Sequence, residues 1–278
     1  MSSFIIWTIQ LVLVPVFSPL FVGIIRKTKA RFQNRVGASI FQPYYDLWKL
    51  FHKDEVISED ASWVFRIAPY IIFTVTIVVG AAIPLFVTIF SGNLLSDLLT
   101  VVYLLALGTF FLALAGIDVG SAFGGFGSSR EMTVAALTEG GLVFSILSLV
   151  FIAHSTNLFQ IAGAISSLSF GSFAPVLLAF IGFVIAMLAE TARFPFDNPA
   201  THLELTMIHE AMILEYSGKR LALVEWASAN KLLIFLALGV NLFFPWGLAT
   251  AVGLMAILLA LGLFLLKVLL LGLFIAIL

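Results

Sequence analysis

The 278-residue sequence contains no cysteine, and only 10% of its residues are charged. Without thiols the chain cannot build a disulfide framework, nor hold an iron–sulfur cluster or a nickel–thiolate centre by itself. A soluble chain carries about a quarter charged residues, so there is too little polar side chain here to cover a water-facing surface. Net charge is −1 and pI about 6.4, which lacks the basic excess of a nucleic-acid binder. There is no Gly-X-Y period of the collagen kind. What the sequence does have is 62% hydrophobic residues, with 28 Phe. That excludes disorder and points to an all-α integral membrane protein.

A membrane-crossing helix needs about 20 mostly apolar residues. Seven segments qualify, near 3–25, 67–90, 97–118, 132–153, 173–192, 222–244 and 248–278. The first has neither a basic n-region nor a small-residue cleavage site, so it is expected to be retained. Pro15 and Pro19 are expected to kink it. The last run reaches residue 278 without a polar flank, from which an eighth span in the full protein is expected. No internal repeat or linker appears, so residues 1–278 are expected to form a single membrane domain.

The basic residues set the orientation. Segment 26–66 holds 8 of the 14 Lys and Arg, among them Arg26 and Arg35. Arg130 lies in 119–131, and Arg193, Lys219 and Arg220 lie in 193–221, with Lys231 at the start of the next span. The alternate segments, 91–96, 154–172 and 245–247, contain none. The expected protein is therefore a multi-pass membrane protein with its N-terminus outside. Loops 26–66, 119–131 and 193–221 would face the cytoplasm as a docking surface. Trp7, Trp226 and Trp246 fall near span ends, where amphipathic rings suit the headgroup level.

Within the first polar loop, residues 43–53 (PYYDLWKLFHK) place Tyr44, Leu47, Trp48 and Phe51 at i, i+3, i+4 and i+7. Pro43 suits a first helical position, so an amphipathic helix in the membrane interface is expected. The glycines of 119–130 (VGSAFGGFGSSR) match no phosphate-binding pattern and read as close backbone packing in a tight turn. In 190–218, Asn198-Pro199 and Gly218 predict a helix over 199–216. Glu204 and Glu215, eleven residues apart, would share one face of it. His209-Glu210 begins like HExxH, but position 213 is Ile, and His202 and His209 are too far apart for an easy metal pair; no metal site is expected.

Ionisable residues inside a span are costly and mark function. Glu139, Glu190 and Lys267 fall inside predicted spans, Asp118 at the inner end of the third, and Arg130-Glu131 at the start of the fourth. Buried carboxylates are the usual parts of a proton path. No nucleophile motif of the Gly-x-Ser-x-Gly or Ser-x-x-Lys kind occurs, and no catalytic residue is assigned.

Residues 26–53 (RKTKARFQNRVGASIFQPYYDLWKLFHK) and 190–218 (ETARFPFDNPATHLELTMIHEAMILEYSG) resemble the complex I subunit 1 family, the subunit that shapes the quinone chamber. Residues 116–131 (GIDVGSAFGGFGSSRE) are similar to that family's loop between the third and fourth spans. The chain departs from the respiratory pattern after PFD, where Ala200 and His202 replace acidic residues, and Glu204 and Glu215 lie about three residues further apart. Here it is more similar to the membrane subunit of energy-converting membrane-bound NiFe-hydrogenases, including formate hydrogenlyase.

The resemblance implies a membrane subunit that anchors a peripheral redox module and couples hydrogen evolution to proton or sodium translocation. It implies a NiFe centre and iron–sulfur clusters on partner subunits at the cytoplasmic side, with antiporter-like membrane subunits beside this chain. Glu139, Glu190, Glu204 and Glu215 would match proton-path carboxylates, to which the residue reading adds Lys267 and Asp118. Arg193 and Asp197 would shape the loop near the redox module, and Arg35, Arg130 and Glu210 would belong to the same docking region. The nearest alternative is a quinone-chamber subunit of a respiratory NADH:quinone oxidoreductase or of a related sulfur-reducing complex. A stand-alone ion transporter is the alternative of another class, and a purely structural anchor a fourth.

Overall fold

Lipid supplies no hydrogen-bond partners, so an apolar run must pair its N–H and C=O groups within itself, which a helix does. The computed structural model describes residues 3–88, 94–169, 173–197, 207–250 and 253–277. Its helices are α1 (Ser3–Phe32), α2 (Gln42–Phe51), α3 (Trp63–Ala82), α4 (Leu98–Asp118) and α5 (Ala122–Ala153). They continue with α6 (Leu158–Ser166), α7 (Ala174–Glu190), α8 (His209–Ile213), α9 (Gly218–Phe243) and α10 (Leu254–Ile277). Six of them, α1, α3, α4, α5, α9 and α10, are long and apolar enough to cross a membrane. The seventh apolar helix, α7, has 17 residues and so spans about 26 Å, slightly less than a hydrocarbon core of about 30 Å. The protein is an all-α, multi-pass membrane protein.

The bundle is built around α9. From Leu232 to Phe243 every residue of it is buried, as befits a helix apolar on all sides. Helices α1, α3, α7 and α10 pack against it. Apolar surfaces gain little from meeting each other in lipid, so buried polar side chains fix the register. Ser18 donates to Asn230 Oδ1 at 2.6 Å, and Asn230 Nδ2 donates to Thr76 Oγ1 at 3.1 Å, tying α1, α9 and α3 together. Near the other end of α9, Asn241 Nδ2 donates to the carbonyls of Pro84 and Leu85 at 2.8 and 2.6 Å.

Helix α1 runs through both prolines. Pro19 has no N–H, which leaves the Pro15 carbonyl without its usual partner four residues on. Trp226 fills the gap, its indole Nε1 donating to Pro15 O at 2.8 Å. This ring therefore packs against protein, with its centroid 6.2 Å from Phe51 and 4.9 Å from Phe73.

Four expectations need correction. The 119–131 loop is mostly helix, because α5 begins at Ala122. Two of its glycines do serve close packing, but from within a helix. A Cβ on Gly124 would overlap the Gly116 carbonyl oxygen, and one on Gly127 would lie 2.9 Å from Ala211 Cβ. Small residues here let α5 lie directly on α4 and α8.

The helix over 199–216 is not seen as one element. Residues 198–206, with His202 and Glu204, lie outside the described residues, and the described part is only the five-residue α8. Gly218 does not end that helix but opens α9, at φ +51°, where a Cβ would lie 2.9 Å from Asp54 O.

The α2 helix forms as expected, but part of its apolar face meets protein. Pro43 is buried, Tyr44 Oη donates to Val16 O at 2.5 Å, and Phe51 packs on Trp226. Trp48, expected on that face, is 69% exposed and packs beside His52. Finally, Lys231 is no flanking charge: α9 starts at Gly218, which carries Lys231 well into the helix.

Candidate functional site

Lys231 enters the bundle on α9 and meets Glu190, the last residue of α7, at 2.8 Å. Both side chains are largely withdrawn from solvent, and an unpaired charge there would be strongly unfavourable. Two hydroxyls complete the arrangement: Thr138 Oγ1 of α5 donates to Glu190 Oε1 at 2.9 Å, and Lys231 Nζ donates to Thr109 Oγ1 of α4 at 3.1 Å. Four helices thus supply one polar centre. Glu131 and Glu139, both on α5, lie within electrostatic reach of Lys231, so three carboxylates surround one ammonium.

A cavity of about 50 Å³ adjoins the pair, its polar wall formed by Glu131, Glu190, Lys231 and His209. A larger one, about 260 Å³, lies between α1, α2 and α9. Arg26, Asp46, Arg193 and Glu225 give it two charges of each sign, beside apolar groups such as Val22 and Leu47. Ser228 lines both cavities. It stands midway between Glu225 and Lys231 on α9, three residues from each, so that it neighbours both on the helix surface. Burial pulls the Arg193 guanidinium down to about 10, helped by the nearby Arg26, and its Nε has no hydrogen-bond partner. The His209 imidazole is pulled down to about 4, first by burial and then by Lys231 and Arg193, so it is neutral at pH 7.

Of the residues singled out in the sequence, Glu190 is in the centre and Glu139 is half-buried beside it, next to Thr138. Lys267 is elsewhere. Its Nζ donates to Phe244 O at 2.7 Å, at the far end of α9, and thirteen residues of helix separate that position from Lys231, about 20 Å. Asp118 caps α3, accepting from Ser62 N at 2.8 Å and Ser62 Oγ at 2.6 Å. Asp197 is buried and accepts from the N–H groups of Ile208 and His209, at 3.3 and 3.0 Å, at the start of α8, while the expected cap residue Asn198 lies outside the described residues. Arg130 Nη1 donates to Met207 O at 3.4 Å, which ties α5 to the same segment. Glu210, Glu215 and Arg35 are exposed, and Glu204 lies outside the described residues. Among the described residues no group of three or more His, Asp or Glu is placed to hold a metal ion.

Sequence reading missed Lys231, Glu225 and Arg26 as site residues. The Glu-x-x-Ser-x-x-Lys pattern in an otherwise apolar helix was the available signal. An ion pair is thus buried where four helices meet, beside a charged cavity, in a multi-pass membrane protein. The chain belongs to the NADH dehydrogenase family, whose model matches residues 5–278. It is 39% identical to hydrogenase-4 component C of Escherichia coli over 263 residues, 94% of this chain and 82% of the relative. It is 34% identical to formate hydrogenlyase subunit 4 of the same organism, over 86% of this chain and 77% of the relative. With an NADH-quinone oxidoreductase subunit of Burkholderia ambifaria, identity is 29% over 76% of this chain and 61% of the relative. The fold is similar to a chain of an archaeal membrane-bound sulfane sulfur reductase, with a TM-score of 0.81, 24% identity, and coverage of 98% and 89% of the two chains.

Proposed function

We propose that this chain is the membrane subunit of a membrane-bound NiFe-hydrogenase complex, where it anchors the peripheral redox module and couples hydrogen evolution to proton or sodium translocation. The observation that carries the coupling is the buried Lys231–Glu190 pair with Glu131 and Glu139 around it. Ionisable groups held inside a membrane bundle are costly and mark ion or proton paths. The hydrogenase assignment is supported by similarity to hydrogenase-4 component C and formate hydrogenlyase subunit 4. The NiFe centre and iron–sulfur clusters belong to partner subunits, docked on segments 26–66 and 193–221, with antiporter-like subunits alongside in the membrane. The Lys and Arg distribution supports a cytoplasmic position for that surface, with the N-terminus outside.

The 260 Å³ cavity favours a second reading, a quinone-chamber subunit, since it offers a mixed polar and apolar space against α2. A tag on this chain, purified with its partners in mild detergent, separates the two. Nickel, iron and hydrogen evolution from a reduced dye are expected to co-purify. Iron without nickel, together with quinone reductase activity, would establish the second reading instead.

In vesicles, Glu139→Gln is expected to leave the complex assembled and to lower the number of ions moved per hydrogen formed. Normal stoichiometry in that variant would remove Glu139 from the path.

A further inference from the structure

The Lys231–Glu190 pair uses the two threonines beside it but leaves His209 without a role. Asp197 holds this residue at the start of α8 by binding its backbone N–H, which fixes where the ring can reach. The ring reaches the wall of the 50 Å³ cavity that Glu131, Glu190 and Lys231 also line. Its Nε2 is sealed from solvent and has no hydrogen-bond partner, although the residue as a whole is only partly buried. A buried polar atom left unpaired is unfavourable, and the great majority of such atoms in native structures have a partner in protein or ordered water. The cavity has room for one or two waters, each about 30 Å³ in the liquid, and its wall supplies the two to four polar partners that a buried water needs.

We propose that His209 is the proton-uptake residue of the Lys231–Glu190 centre, its Nε2 joined to that centre through water held in the small cavity. This deepens the ion-coupling reading above and rests on it. The ring takes up a proton at Nδ1 as Nε2–H gives one to the cavity water. That water passes a proton to the carboxylate of Glu131, since Glu190 is already held by Lys231 and Thr138, and a water-relayed transfer of the remaining ring proton from Nδ1 to Nε2 restores the starting tautomer. One proton enters and one leaves, so the imidazole carries no net charge beside Lys231 and Arg193, which disfavour a second cation there.

The test uses the whole complex in proteoliposomes. If the wild-type complex moves no ions during hydrogen formation, the ion-coupling reading fails and this inference falls with it. Where the wild type does move ions, His209→Gln is expected to assemble and to lose most of its ions per hydrogen, with added imidazole restoring part of the loss. Unchanged stoichiometry overturns the proposal. So does a loss that imidazole cannot relieve, because that is the behaviour of a packing residue. If His209→Gln fails to assemble, Glu131→Gln on the same cavity wall decides: lost translocation supports the water path, and normal translocation overturns it.

Discussion

Lys231→Met is expected to destabilise the complex by about 3–5 kcal/mol, since it leaves Glu190 buried beside Thr138 with no cation. The unfavourable element is the orphaned carboxylate, not the lost ammonium, so a second substitution should reverse much of the damage. Lys231→Met with Glu190→Gln replaces two charges by neutral groups of similar size. Resistance to heat or to limited proteolysis should return towards the wild-type level in the double variant. Ion translocation should not return, because no titratable pair is left at the meeting point of α4, α5, α7 and α9. A single Lys231→Met variant as heat-resistant as the wild type would mean that the buried pair does not form. Full translocation in the double variant would leave the pair with a structural role alone.

A comparably large effect is expected from one methyl group on α5. In Gly124→Ala the new Cβ would overlap the Gly116 carbonyl oxygen, a backbone atom that no side-chain rotation can move aside. The helices must separate, at a cost of about 1–3 kcal/mol or more, as overpacked contacts generally show. The neighbouring position provides the control. A Cβ on Gly125 would meet nothing within 4 Å, so Gly125→Ala should be neutral or stabilise α5 by up to about 1 kcal/mol. Melting of the two purified variants measures the contrast, and equal behaviour would contradict the α4–α5 contact. Translocation should fall along with stability in Gly124→Ala, because α5 also carries Glu131, Thr138 and Glu139.

The apolar runs made the helices legible in the sequence, since a run of that length in lipid has few other ways to pair its backbone. Their ends were less legible. Four glycines in twelve residues read as a turn under the rules of soluble proteins, where glycine weakens a helix. Against α4 one of them, Gly124, is what allows the two backbones to meet. Glu190 and Glu139 could be found because each is a lone carboxylate in an apolar setting. Lys231 could not be found by that rule while α9 was taken to begin four residues later and its charge was assigned to the membrane boundary. Its partners, Thr109 and Glu190, are far away in the chain and are brought to it only by the packing of α4 and α7. Lys267 shows the converse: it stands alone in its apolar run, but its partner is the Phe244 backbone carbonyl, which no pattern of side chains announces.

Ser228 lines both cavities, so along α9 the two chambers share this residue as wall. Glu225 and Lys231 flank it from opposite chambers, six residues and so about 9 Å apart along the helix. Glu225 is influenced by Arg26 and Asp46, which line the larger chamber, whereas Lys231 is influenced by Glu190, Glu131 and Glu139 around the smaller one. Each chamber therefore answers to its own set of charges, although one serine borders both.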